Sequence, residues 1–393
     1  MGQGVQRIVA SQPFNSLRIV SNGIDASSRQ ARNEPQYYVY GQELDDRLIR
    51  PSIQGNPVMP RFLPGLKLSK LYYTQAVAPI LERRFPHLRY SAGLLGTGSE
   101  ILGYDTPQST DHNWGLRLFI FLSDHDFEDK KHEIDNELRK ELPLTFMGFP
   151  TSFGPPNDTG VRMQDFSAQR RGNINHYITF LTVGSFLGPL AHKKVSTATW
   201  LGLPQQRLLE ITRGRIFHDG LGIKAKIRRF RYYPTDIWLS KLASQWQKIS
   251  EEEAFVARAS SVGDELGSRI IASRIIEELM MLCFLMEKRY APYSKWFGRA
   301  FSELPIARKL TPIFTNVLKA DSITEREQYL SEAYHIVAKK HNSLHITKPL
   351  PAAASKFWDR PYLVIHGGRF RAEIRKRIRS EEIRKLRLGE TAQ

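Results

Sequence analysis

The stretch that decides the fold reads YSAGLLGTGSEILGYDTPQSTDHNWGLRLFIFL and spans residues 90–122. A short apolar run at residues 90–95 leads into a glycine cluster at residues 96–98, and a nearly all-apolar run follows at residues 116–122. Short apolar runs between turn residues are typical of buried strands. A run rich in β-branched residues at 174–183 predicts another strand. The first part of the chain is therefore expected to contain a sheet with a glycine turn.

Helical patterns surround this stretch. Apolar residues recur at helical spacing from Leu66 to Leu81, before the stop at Phe85-Pro86, which predicts an amphipathic helix. Beyond Leu203 the chain predicts mostly helices, with the ranges 205–217, 234–249, 251–262, 264–290 and 325–340. The predicted fold class is α+β, with a mixed-sheet domain followed by an α-helical bundle. The expected divisions are a poorly ordered arm at 1–60, the sheet domain at 61–200, the bundle at 201–345, and a linker with a basic helix at 346–393.

Composition limits the cellular setting. The 393 residues carry a net charge of +17 and a single cysteine, Cys283, which lies in an apolar helical run and is expected to be buried. One cysteine excludes an internal disulfide framework and fits a reducing compartment. No apolar stretch approaches the roughly 20 residues that a membrane helix needs, so we expect no membrane insertion. Cytoplasmic location is expected, with mitochondrial import as an alternative because the first 33 residues hold four arginines and one acid.

The glycine cluster and the residues before the second strand suggest a phosphate site. Glycine allows backbone N–H groups to approach a phosphate closely, and Ser99 adds a hydroxyl donor. If Asp111 and Asn113 lie on a strand, their side chains point to the same face and can converge on one metal ion. The pattern therefore predicts a nucleoside triphosphate with Mg²⁺, held by Gly96, Gly98, Ser99, Asp111 and Asn113.

The same residues carry a resemblance to known families. A Gly-Ser pair followed by an Asp-x-Asp-like pair is similar to the signature of polymerase-beta-type nucleotidyltransferases. More closely, the chain resembles the domain of unknown function 4037 family over roughly residues 62–310. The motifs that carry this likeness lie at residues 62–66, 90–105, 217–222, 263–268 and 290–298. That family has no established reaction.

The resemblance implies transfer of a nucleoside monophosphate to an unknown acceptor, with release of pyrophosphate. It implies that Asp111 and Asn113 are the metal ligands and catalytic pair, and that Gly98 and Ser99 cradle the phosphates. In related enzymes the second domain adds groups at the nucleotide, so Lys295 is a candidate nucleotide-binding residue. Further candidates from the helical domain are Glu252, Glu253, Asp264 and Arg274.

Two departures from the family pattern leave the activity open. Asn113 stands where an aspartate is expected, and the position expected to hold a third carboxylate falls on Thr179. The chain is therefore interpreted as an active nucleotidyltransferase, as a catalytically impaired nucleotide-binding regulator or scaffold, or as a fold that keeps this turn without chemistry. A basic nucleic-acid-binding protein is a further alternative, since residues 369–387 hold nine Lys or Arg against three Glu.

Overall fold

A computed structural model describes residues 60–167 and 173–386 as a mixed α and β structure. The expectation for the amino-terminal arm falls on residues outside these ranges. The strands are β1 (Ser91–Leu94), β2 (Arg117–Leu122), β3 (Thr145–Phe146), β4 (Phe149–Pro150), β5 (Tyr177–Thr182), β6 (Arg215–Asp219), β7 (Ser355–Phe357) and β8 (Arg360–Val364).

Most of the helical residues follow the sheet in sequence. The helices are α1 (Gly65–Tyr72), α2 (Ala78–Arg84), α3 (Ser99–Leu102), α4 (Asp124–Asp129), α5 (Lys131–Glu141), α6 (Val183–Leu187), α7 (Thr197–Gly202), α8 (Gln205–Thr212), α9 (Ile223–Arg228), α10 (Thr235–Glu252), α11 (Phe255–Ser261), α12 (Glu265–Met286), α13 (Ser294–Ser302), α14 (Ala307–Lys319), α15 (Ile323–Ser343), α16 (Gly367–Arg375) and α17 (Glu381–Lys385). A π-helical turn, Tyr73–Val77, joins α1 to α2.

The central sheet is mixed and has the order β5-β2-β1-β6. β1 is antiparallel to both β2 and β6, whereas β2 and β5 run parallel. Side chains alternate across β2, because successive residues of a strand point to opposite faces. Leu118 and Ile120 belong to the apolar cluster that includes α1 and α2, while Phe121 belongs to the cluster formed with the later helices. The sheet is thus covered on both faces, which confirms the predicted α+β class.

The sheet receives its fourth strand from the region expected to be helical. The predicted helix over 205–217 ends as α8 at Thr212, and the chain then forms β6 beside β1. Gly214 makes this possible, since a Cβ there would lie 2.7 Å from the Leu95 Cα. The expected boundary near residue 200 therefore does not separate the sheet from the helices that follow it.

The long helices of the bundle form where their sequence patterns predict them. The predicted helices over 234–249, 264–290 and 325–340 correspond to α10, α12 and α15. Ser322 and Glu325 form a reciprocal capping box at the start of α15, which satisfies backbone donors there. Cys283 is buried in the α12 stripe, and burial raises the pKa of its thiol, so it is a packing residue.

The carboxy-terminal segment packs into the bundle more closely than a linker and a free basic helix would. A β7-β8 hairpin comes first, and α16 then packs on α10 with the Phe370 ring stacked 4.1 Å from Trp246. Ile374, Ile378 and Ile383 are buried along the same segment. In the part of the chain that the structure describes, no helix is both long and apolar enough to span a membrane.

Candidate functional site

Of the six residues predicted to bind nucleotide or metal, five line one cleft. This cavity has a volume of about 470 Å³ and lies between the start of α3, the segment before β2 and the start of α13. The predicted residues that line it are Gly98, Ser99, Asp111, Asn113 and Lys295. Lys295 is far from the others in sequence, so only the folded chain brings the five together. Tyr293 and Trp296 complete the wall on the α13 side.

The glycine turn approaches its neighbours closely. Gly98 has φ +137°, and a Cβ there would lie 2.7 Å from the Glu100 carboxyl carbon. Within residues 60–167 and 173–386, the backbone N–H groups of Gly98 and Ser99 donate to no protein acceptor. They are therefore free to meet a ligand. The expected help from a helix dipole is small, because α3 has only four residues.

Gly96 does not line the cleft and instead holds the turn in place. Its backbone N–H donates to the Glu210 carbonyl at 2.9 Å, which ties the end of β1 to α8. Its φ of +88° is left-handed, and a Cβ would lie 3.4 Å from the Phe119 ring. Gly96 therefore has a structural role in place of the predicted phosphate contact.

Asp111 and Asn113 do not lie on a strand as expected. Asp111 ends a 3-10 turn, Pro107–Asp111, and β2 begins only at Arg117. Asn113 has a left-handed φ of +47°, a conformation that asparagine tolerates better than most residues. The alternation argument that placed both side chains on one face therefore does not apply. The Asp111 side chain is 63% exposed, with one carboxylate oxygen 2.9 Å from His112 Nδ1.

The Asn113 side chain already has protein partners. Its Oδ1 accepts hydrogen bonds from the Arg162 backbone N–H at 3.0 Å and from the Tyr177 hydroxyl at 3.1 Å. An amide oxygen has two lone pairs, so this oxygen is fully used. Across the described ranges no group of three His, Cys, Asp or Glu side chains is arranged to hold a metal ion. The predicted Asp111 and Asn113 pair therefore does not fit a magnesium ion in this arrangement.

Arg117 is the functional candidate that the sequence analysis missed. It is the first residue of β2, lines the cleft, and has its Nε 2.9 Å from Glu100 Oε1. Its NH1 and NH2 donate to the carbonyls of Asn113 and Thr97. One arginine opening an otherwise apolar strand, as in RLFIFL (residues 117–122), is the signal that could have identified it.

The ion pair of Arg117 with Glu100 is buried at the floor of the cleft. Glu100 is only 2% exposed, and burial raises the pKa of its carboxyl while Arg117 opposes that rise. The Arg117 Nε and the Glu100 Oε1 are close but not aligned as a hydrogen bond. The guanidinium is thus held in place at the cleft floor, with its charge compensated by the Glu100 carboxylate.

The other acidic and basic candidates of the helical domain lie away from the cleft. Glu252 and Arg274 form an ion pair at 2.9 Å. Asp264 caps α12 through the Gly267 N–H. The carboxylate of Glu253 accepts from the Ile365 and Gly367 N–H groups ahead of α16.

These four residues therefore have structural roles. Thr179, the position where a third carboxylate was expected, is half-buried in β5 and pairs with Phe119 of β2.

Comparisons with known proteins support the family resemblance over part of the chain. The model of the family described as "Domain of unknown function (DUF4037)" matches residues 200–297. No curated protein matches the chain significantly. A search of solved structures finds a nucleotidyltransferase-like protein from Exiguobacterium sibiricum 255-15, with 10% identity and a TM-score of 0.30, covering 69% of this chain and 78% of that one. We base neither the fold class nor any residue role on so weak a likeness.

Proposed function

We propose that this protein binds a nucleoside triphosphate in the cleft between α3 and α13. The observation that carries the proposal is the convergence of Gly98, Ser99, Asp111 and Lys295 on one cavity of about 470 Å³. Such a volume suits a small-molecule ligand. Free backbone N–H groups and the Lys295 ammonium are donors of the kind that bind phosphate oxygens.

Arg117 supports this proposal from the floor of the cleft. Its guanidinium forms an ion pair with Glu100 and donates to two backbone carbonyls, so it is ordered before a ligand binds. Glu100 compensates this charge, so Arg117 contributes an ordered guanidinium donor to a phosphate oxygen rather than a net positive charge. Any contribution of magnesium would come through Asp111, because the Asn113 oxygen is used.

The same geometry favours binding over group transfer. Nucleotidyl transfer needs carboxylates that bind metal and activate an acceptor oxygen, and this cleft offers one exposed carboxylate, Asp111. We therefore propose a nucleotide-binding regulator or scaffold with the fold class of the transferases, and low transfer activity at most.

Isothermal titration calorimetry with ATP, CTP, GTP and UTP, each with and without magnesium, tests the proposal. We expect binding of at least one nucleotide and a loss of about tenfold in affinity for Lys295→Ala, since a charge-assisted hydrogen bond contributes about 1.5 kcal/mol or more. Lys319→Ala is the matched control, because Lys319 is exposed on α14 and lines neither of these two cavities. Absence of binding for all four nucleotides would refute the proposal.

A further inference from the structure

A second cavity is bordered by α3 and α13, as the nucleotide cleft is, but by different residues of these helices. Its volume is about 360 Å³, and it shares no lining residue with the first. Leu102, the last residue of α3, and Tyr104 line it, and Ala300 lines it from the second half of α13. The wall between the two cavities includes the contact of Tyr104 with Trp296, whose rings are 5.3 Å apart.

Four cationic side chains surround this second cavity. Of its twelve lining residues four are basic and none is acidic, namely Arg213, Arg231, Lys288 and Arg289. Only Arg289 has a carboxylate partner within the described ranges, because its NH2 lies 3.0 Å from Glu303 Oε2. Like charges that converge on one cavity repel each other until an anion enters. The cluster therefore favours an anionic ligand.

Two of the cations are oriented by contacts with the protein. The Arg213 NH2 donates to the Leu102 carbonyl at 3.4 Å, and the Lys288 ammonium lies 4.4 Å from the centre of the Trp238 ring. Burial and then Glu303 raise the pKa of the Tyr104 hydroxyl, whereas Arg213 and Arg289 lower it. Tyr104, Arg213 and Arg289 all line the cavity.

Apart from Thr212 and the hydroxyl groups of Tyr104 and Tyr290, the rest of the cavity wall is apolar. Leu102, Leu209, Phe284 and Pro292 line it together with the Tyr104 ring. A ligand that contacts both the cationic residues and the apolar residues of this cavity carries a compact anionic group on an apolar or aromatic body. Guanidinium groups bind phosphate in a forked geometry, and three of the four cations are arginines.

We propose that this second cavity binds a small organic phosphate, a phosphomonoester with an apolar or aromatic body. The cavity is small enough to enclose such a molecule, whereas a nucleic acid would contact only its rim. This site is separate from the nucleotide cleft and does not depend on the function proposed for it.

Phenyl phosphate is the probe, titrated by calorimetry into the full-length protein beside phenol and inorganic phosphate. We expect phenyl phosphate to bind more tightly than either fragment, because it uses both the cations and the apolar wall. The variant Arg213→Gln/Arg231→Gln should bind it at least tenfold more weakly. Both arginines are exposed, so the variant should keep the thermal melting of the parent protein.

The control variants decide between sites. Lys319→Gln should leave the affinity for phenyl phosphate unchanged, and so should Lys295→Ala in the nucleotide cleft. Equal losses for Lys319→Gln and the double arginine variant would overturn the proposal, as would a loss with Lys295→Ala alone. Tight, arginine-dependent binding of a single-stranded RNA without binding of phenyl phosphate would also overturn it, in favour of a nucleic-acid surface.

Discussion

The stability of the cleft floor depends on the buried ion pair of Arg117 and Glu100. Removing one partner of a buried ion pair leaves the other charge without compensation, which costs about 3–5 kcal/mol. We expect Arg117→Met to lower the free energy of unfolding by about 3 kcal/mol, and the added change Glu100→Gln to restore part of that loss. Urea denaturation of the two single variants and the double variant measures this coupling. Additive losses would show that the pair does not act as a unit.

Asn113 holds the turn before β2 through Arg162 and Tyr177, and an aspartate can accept the same two hydrogen bonds. We therefore expect Asn113→Asp to fold normally and to raise the affinity for nucleotide only when magnesium is present, since it adds a carboxylate to the cleft that Asp111 also lines. In the double variant Asn113→Asp/Thr179→Glu, we expect measurable release of pyrophosphate from the nucleotide. Thr179→Gln is the matched uncharged control. Equal rates for the Glu and Gln variants would show that missing charge is not what limits transfer.

Among the secondary-structure elements, β6 depends on a residue without a side chain. A Cβ at Gly214 would overlap the Leu94 carbonyl and lie 2.7 Å from the Leu95 Cα, both backbone atoms that cannot move aside cheaply. We expect Gly214→Ala to destabilise the fold by about 2 kcal/mol through overpacking.

The matched control for that change is Gly298→Ala. Gly298 lies inside α13, and a Cβ there meets no atom within 4 Å. This variant should stabilise the fold by about 0.5–1 kcal/mol, because alanine is the better helix former. Chemical denaturation of both variants measures these changes in the free energy of unfolding. Equal effects of the two substitutions would contradict the close approach of β6 to β1.

The elements differ in how far the sequence predicts them. Regular spacing over many residues predicted the helices α10, α12 and α15. A nearly all-apolar run predicted β2, and a run rich in β-branched residues predicted β5. β6 was missed because it is short, follows a helix directly, and pairs with a strand more than a hundred residues earlier. β6 lies at the edge of the sheet because it pairs with β1, and no local sequence pattern indicates that pairing.

Prediction from the sequence has the same limit at the candidate site. The glycine turn and Asp111 are visible in one motif, and both line the cleft. The full use of the Asn113 oxygen depends on Arg162 and Tyr177, which lie 49 and 64 residues away along the chain. Spacing arguments cannot detect such partners, because hydrogen-bond satisfaction is decided by the folded backbone.

Across the protein, two buried histidines couple stability to pH. His176 lies just before β5, beside Asp135 of α5, and His341 lies in the helical bundle beside Trp246. Burial lowers the pKa of both imidazoles, to about 4 for His341. A lowered histidine pKa gives stability that is present above the unfolded pKa of about 6.5 and is lost as pH falls toward the folded value.

Glu253 acts in the opposite direction. Burial raises the pKa of its carboxyl to about 7, although the N–H groups of Gly367 and Ile365 oppose the rise. A raised carboxyl pKa gives stability below pH 4.5 that is lost as pH rises through about 7. The pH profile of the parent protein is therefore a sum of opposing contributions, and a single variant is best judged by its difference from the parent.

His341→Gln isolates one of these contributions. The ring accepts from the Trp246 indole N–H and contacts the Thr347 hydroxyl, both of which a glutamine can replace. We expect the variant to lose about 3 kcal/mol less stability than the parent between pH 7 and pH 4, at about 1.4 kcal/mol per pKa unit. Urea denaturation across that range measures it. A His341→Gln profile parallel to the parent's would contradict this assignment.

The position of β6 has a practical consequence for dissecting this protein. The segment that matches the family model, residues 200–297, contains Arg215–Asp219, while the partner strand of those residues is Ser91–Leu94. A fragment cut near residue 200 would carry an unpaired strand edge, which promotes self-association. Two such halves produced in the same cell could instead recombine through that edge, so complementation between them would be the natural way to study either half.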